Sequence, residues 1–218
     1  MLQMRDVGFA YPGGQVIDYP DVTLSGGEQV LVLGPSGSGK STLLALWSGQ
    51  LSPKRGTVTV GGQDLARLRG AARDRWRGRH VGLVYQAPRL IASQTVRANV
   101  ELPSRLIGRP VERARTDAAL AGLGIAHVAD RLPERCSLGE QQRAAILRAI
   151  YHAPALILAD EPTSALDAAN AAAVADLLAR EAARTGAALA IVTHDERLRA
   201  RFARTIALEP RAANPDAA

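Results

Sequence analysis

An α/β fold with a parallel sheet covered by helices is predicted by two features of the chain. The last third alternates strand-length apolar runs with helical stretches: Ala155–Ala159 and Ala187–Thr193 read as strands, Ala168–Thr185 and Glu196–Phe202 as helices. That alternation is the pattern of a parallel sheet. Earlier, the short apolar strand Gln29–Leu33 runs straight into a glycine-rich loop, followed by a helix with an apolar face from Lys40 to about Gly49.

The other elements read in order. Leu2–Phe9 and Gln15–Leu24 are strands flanking the turn signal Tyr11-Pro12-Gly13-Gly14, and Gly56–Val60 is a strand ended by Gly61-Gly62. Residues 87 to 152 are helix-rich, with Pro103, Pro110 and Pro133 as breakers, and 211 to 218 read as a flexible tail. With 218 residues, 47% apolar and 22% charged, the composition is that of a globular chain with a sizeable core, so disorder is not the default. The net charge of +6 comes with Arg67, Arg69, Arg73, Arg75, Arg77 and Arg79 in one segment. Arg69, Arg73 and Arg77 share a helix face. A solvated face is favoured over a lipid or partner contact. No aromatic residues interleave with the arginines for base stacking, so nucleic acid is not expected. The one cysteine, Cys136, excludes an intramolecular disulfide and reads as a small buried hydrophobe.

No apolar run approaches the ~20 residues that a membrane span needs, and the N-terminus has no signal-like core. The expected location is therefore cytoplasmic, with membrane attachment through a partner.

Gly34-Pro35-Ser36-Gly37-Ser38-Gly39-Lys40-Ser41-Thr42 fits G-x-x-x-x-G-K-[ST]. Its glycines let successive N–H groups point at phosphate oxygens, and the helix that follows adds its positive end. Lys40 is expected to reach the outer phosphates of ATP, and Ser41 to ligate Mg²⁺. Asp160 and Glu161 end an apolar strand. Asp160 is the candidate metal partner, and Glu161 the group that polarises an attacking water.

Further residues carry a resemblance. Glu161 continues into Pro162-Thr163-Ser164-Ala165-Leu166-Asp167. Val84-Tyr85-Gln86, Val192-Thr193-His194-Asp195, Tyr11 and Cys136-Ser137-Leu138-Gly139-Glu140-Gln141-Gln142-Arg143 complete the set. In this order the motifs resemble those of the ABC ATPases over nearly the whole chain. The resemblance implies a P-loop NTPase (RecA-like) core with an N-terminal antiparallel β-subdomain and an inserted α-helical subdomain. The core spans 1–86 and 153–210, and the helical signature lobe 87–152, within one ABC ATPase domain.

It also implies residue roles: Tyr11 stacks on adenine, Gln86 meets metal and water, and His194 senses the γ-phosphate. Ser137, Gly139 and Glu140 face the ATP of a second copy. The catalytic set is then Lys40, Gln86, Glu161 and His194, and the metal set Ser41, Gln86 and Asp160. Leu138 departs from the family's usual glycine, and Glu140 from its usual glutamine.

A homodimer or pseudo-dimer and a separate transmembrane permease are the implied partners. The stretches Arg79–Gln86 and Thr95–Pro103 look like those of lipoprotein-releasing, macrolide-exporting and cell-division ABC ATPases. The competing readings are a soluble ABC ATPase serving a non-transport partner such as a cluster-assembly scaffold, and an unrelated P-loop kinase or nucleic-acid ATPase. The latter has no use for a signature plus His194.

Overall fold

The computed structural model of the chain describes residues 1–163 and 168–209. The expectation of a flexible tail over 211–218, and four residues of the stretch after Thr163, lie outside the described residues.

Two sheets organise the first part of the chain. Strands β1 (Leu2–Phe9), β2 (Ile17–Asp18), β3 (Val22–Leu24), β5 (Arg55–Val60) and β6 (Gln63–Asp64) form an antiparallel sheet in which β1 pairs with β2, β3 and β5. Strand β4 (Gln29–Leu33) leaves it to join a parallel sheet, and helix α1 (Lys40–Trp47) follows. Helix α2 (Gly70–His80) leads into β7 (Val81–Val84). The helical segment holds α3 (Val96–Leu106), α4 (Arg113–Gly122) and α5 (Leu138–Ile150). The chain then returns through β8 (Leu156–Asp160), α6 (Ala168–Thr185), β9 (Ala188–Thr193) and β10 (Arg204–Ala207). The parallel sheet has the order β10-β4-β9-β8-β7.

The central strands β4, β9 and β8 read as nearly unbroken apolar runs because both faces are covered. Alternation divides each run between two cores. Leu31 and Leu33 of β4, Ile157 and Ala159 of β8, and Leu189 and Ile191 of β9 pack with Val100, Ile146, Ile150 and Leu178 from the helices. Val30 and Val32, Leu156 and Leu158, and Ala190 and Val192 pack on the other face with Leu43, Leu46 and Trp47 of α1 and with Leu2, Met4, Val58 and Val60 of the antiparallel sheet. Helix α1 is thus clamped between the sheets. Its Trp47 is fully buried, and its ring N–H donates to Met4 Sδ at 3.3 Å. Burying each such large side chain contributes about 1.5–3 kcal/mol. This core between the two sheets grips α1 and so holds its N-terminus, which carries Lys40, in a fixed place.

Three local expectations are corrected. The stretch Gln15–Leu24 is two short strands, because Pro20 has no N–H to donate to the ladder. Pro103 does not break a helix but lies inside α3, one turn from its end. The lost hydrogen bond there is offset by burial of Val96 and Val100 against α5. The segment Glu196–Phe202 is a tight 3₁₀ turn over Glu196–Arg201, capped by the Asp195 carboxylate on the Arg197 N–H. The Arg-rich helix α2 buries none of its residues. Arg73 donates to Leu68 O and Arg77 pairs with Asp74. Cys136 is buried, as its apolar reading implies.

His152 follows α5 and is only 3% exposed, with the Arg109 guanidinium donating to its carbonyl. Burial, with help from the Arg109 charge, pushes its pKa down to about 4. The unfolded chain binds a proton near pH 6.5, whereas the folded chain does not until pH falls to about 4. Stability is therefore full above pH 6.5 and is lost on acidification toward 4, by about 3 kcal/mol. Replacing His152 with leucine is expected to flatten the fall in melting temperature between those pH values, measured by circular dichroism. An unchanged acid sensitivity would assign that sensitivity to other groups.

Candidate functional site

The site forms where β4, β8, β9 and β7 end side by side. Ligands of open parallel sheets bind at this edge. The register aligns Leu33 with Thr193 and Asp160 with Val192, so the loops after these strands start at nearly one level. A cleft of about 410 Å³ opens there, lined by Ser36, Gly37, Gly39, Lys40, Ser41, Thr42, Gln86, Glu161 and His194.

The loop after β4 needs its glycines. A side chain at Gly34 would meet Ser38 Oγ at 2.6 Å, and Gly39 caps α1 with φ of 92° while its carbonyl accepts from the Tyr19 hydroxyl at 3.0 Å. Left-handed backbone of this kind is cheap only for glycine. Lys40, 7% exposed, folds back over the loop and donates to Gly34 O at 2.8 Å and Pro35 O at 2.9 Å. Its ammonium lies 3.6 Å from Glu161 Oε1. The loop therefore encloses a buried cation at the positive end of a helix, which suits a phosphate group.

The acidic pair divides two tasks. Asp160 Oδ1 accepts from the Ser41 hydroxyl at 3.2 Å, and burial pushes its pKa up despite that bond. These two oxygen donors fit a hard divalent cation, whose charge would offset the burial of the carboxylate. Glu161 has φ of 46°, a conformation uncommon for a residue with a side chain. Its N–H is fixed to Val192 O at 2.8 Å. The carboxylate turns to β9, where Oε2 accepts from the Thr193 hydroxyl at 2.9 Å. Oε1 accepts from His194 Nδ1 at 2.9 Å, and a carboxylate acceptor requires the proton on that nitrogen.

Gln86 is exposed at the rim, on the loop after β7. Tyr11 is 49% exposed beside the loop, its hydroxyl 3.2 Å from Thr42 Oγ1 and its ring edge-on to Phe9 at 4.9 Å. The structure thus gathers Tyr11, Gly34 to Thr42, Gln86, Asp160, Glu161 and His194 in one place. Ser137, Gly139 and Glu140 do not line the cleft. They form the start of α5, where Ser137 and Glu140 cap each other. Gln142, one turn on, donates to Pro162 O at 3.2 Å and so ties α5 to the turn after β8 that carries Glu161. Sequence reasoning missed Thr193 and Tyr19, which brace Glu161 and the loop. For Thr193 the only signal is its place directly before His194.

Comparison with known proteins agrees with this geometry. A family model described as ABC transporter matches residues 17–164. The lipoprotein-releasing system ATP-binding protein LolD of Shewanella oneidensis is 37% identical over 215 residues, 96% of this chain and 94% of that protein. LolD of Pseudomonas fluorescens is 38% identical over 216 residues, 96% of this chain and 95% of that protein. The dimeric post-hydrolysis structure of the ATP-binding cassette MJ0796, bound to ADP and Pi, matches with a TM-score of 0.86 and 31% identity, covering 97% of each chain. The cbiO1 structure from Clostridium perfringens, part of the ABC transporter complex cbiONQ, matches at 0.78 and 27% identity, covering 89% of this chain and 78% of that one. This chain belongs to the ABC transporter ATP-binding family.

Proposed function

We infer that the chain is the ATP-binding and ATP-hydrolysing subunit of an ABC transporter, in which two copies close around ATP and drive a separate membrane permease. The observation that carries this is the cleft at the sheet edge: a buried lysine, an oxygen pair at Ser41 and Asp160, and a Glu161 carboxylate tied to His194. The signature residues lie outside that cleft, so a second copy is needed to bring Ser137 and Gly139 against the nucleotide. The dimeric relative supports the pairing.

The residues divide the work. When ATP binds, Lys40 exchanges the Gly34 and Pro35 carbonyls for phosphate oxygens, and the N–H groups of Gly34 to Thr42 cradle the rest. Tyr11 stacks on the base. Ser41 and Asp160, with Gln86, would hold Mg²⁺, which would supply charge neutralisation at the phosphates. Glu161 accepts the proton of the attacking water, oriented by Thr193 and by His194, which also reads the γ-phosphate. The core comprises 1–86 and 153–210, and the segment 87–152 is the helical signature subdomain.

A second cleft supports a permease partner. Leu83, Tyr85, Leu102, Leu106 and Ile107 line an apolar groove of about 360 Å³ beside Gln86. Arg89 lies over the Tyr85 ring at 4.4 Å and Arg148 donates to Arg89 O, so guanidinium groups rim the groove. Among the described residues no helix is long and apolar enough to cross a membrane. The proposed location is the inner face of the cell membrane, reached through the permease. The LolD relatives favour this reading over a soluble ATPase serving a cluster-assembly scaffold.

Glu161→Gln is expected to retain ATP, lower hydrolysis by at least about 100-fold, and trap a dimer. Capturing the tagged variant from solubilised membranes with ATP is expected to recover a permease. Wild-type turnover would remove Glu161 as base, and recovery of soluble partners alone would overturn the transporter reading. Lys40→Ala is expected to weaken ATP binding by about tenfold or more in calorimetry, since it deletes a charge-assisted phosphate contact. Unchanged affinity would contradict the cradle. Leu138, 54% exposed at the start of α5, has no core role. Leu138→Gly is therefore expected to leave ATPase activity intact or raise it, and a collapse of activity would contradict that.

A further inference from the structure

Helix α5 begins in a reciprocal cap. Ser137 Oγ accepts from the Glu140 N–H at 3.3 Å, while Glu140 Oε2 accepts from the Ser137 N–H at 2.7 Å and from the Ser137 hydroxyl at 2.8 Å. The other carboxylate oxygen accepts from His127 Nε2 at 2.8 Å. These donors, the Ser137 N–H foremost, hold the Glu140 carboxyl down to about 2, so it is ionised at any working pH.

Two chemical consequences follow. A serine hydroxyl has a single proton, and that of Ser137 is committed to Glu140. A glutamine carbonyl in this place would accept both Ser137 bonds, and its amide nitrogen would bring two N–H donors where the second carboxylate oxygen brings none. The carboxylate also sets a negative charge in the first turn of α5. It cancels there the positive helix end that attracts phosphate.

Resting on the paired-copy reading above, we propose that Glu140 is a positioning residue that restrains closure of the ATP sandwich. Its charge, held in the first turn of α5 by the Ser137 and His127 donors, opposes the incoming γ-phosphate. ATP therefore drives pairing less strongly than it would with glutamine at position 140. His127, whose side chain is 60% exposed, donates to that carboxylate from the solvent side.

The test uses the Glu161→Gln chain, in which hydrolysis does not dissipate the dimer, followed by sedimentation across protein concentrations at saturating Mg-ATP. Adding Glu140→Gln keeps the cap and removes the charge. It is expected to lower the concentration at half-dimerisation by about tenfold, with the melting temperature of the nucleotide-free chain unchanged. Adding His127→Ala instead leaves the carboxylate without its neighbour and is expected to raise that concentration. An unchanged or higher midpoint for Glu140→Gln overturns the proposal. If the Glu161→Gln chain does not dimerise with ATP at all, the paired-copy reading itself fails and this proposal with it. That outcome is distinct from a dimer that forms and is indifferent to Glu140.

Discussion

The site depends on the register of three adjacent parallel strands. β4 aligns Leu33 with Thr193 of β9, and β8 aligns Asp160 with Val192. From that alignment the loop holding Lys40, the carboxylate of Glu161 and the hydroxyl of Thr193 meet within hydrogen-bonding or ion-pair reach. A slip of one residue would exchange the two faces of a strand. Here both faces are buried in separate cores, so a slip would cost burial on both sides. The two cores therefore fix the geometry of the site as well as stability.

The geometry describes a site poised to exchange partners. Lys40 rests on its own loop carbonyls, and Glu161 rests on Thr193 and His194. Each contact is one that a nucleotide phosphate or a bound water can replace without moving the backbone. The left-handed φ of Glu161 keeps its carboxylate turned toward β9 rather than along β8. Strain of this kind persists only where neighbours hold it, here through the Val192 carbonyl.

Much of this was legible in the residues. Gly34 to Thr42 announces itself because a phosphate cradle needs glycine, lysine and a hydroxyl at set spacing, and Asp160 and Glu161 because they end an apolar run. The length of α6 matched its reading, Ala168–Thr185, because its apolar spacing is helical throughout. The strand Gln15–Leu24, which contains Pro20, and the breaker Pro103 were misread because the effect of a proline depends on whether its missing N–H had a partner, which is a tertiary fact. Tyr19 and Thr193 escaped because their roles come from contacts 20 and 32 positions away in the chain. In the sequence Glu140 is no more than a departure from the usual glutamine. Only the cap geometry shows that it engages the Ser137 hydroxyl.

The central claim is that each nucleotide is completed by two copies of the chain, one giving Lys40 and the other Ser137. Subunit complementation tests it most directly: a Lys40→Ala chain and a Ser137→Arg chain, each inactive alone, are mixed and ATPase activity is followed. In mixed pairs one intact loop faces one intact signature. The account therefore predicts that activity returns on mixing, to about a quarter of wild type for random pairing of equal amounts. Activity no greater than the sum of the separate chains would contradict a site shared between two copies.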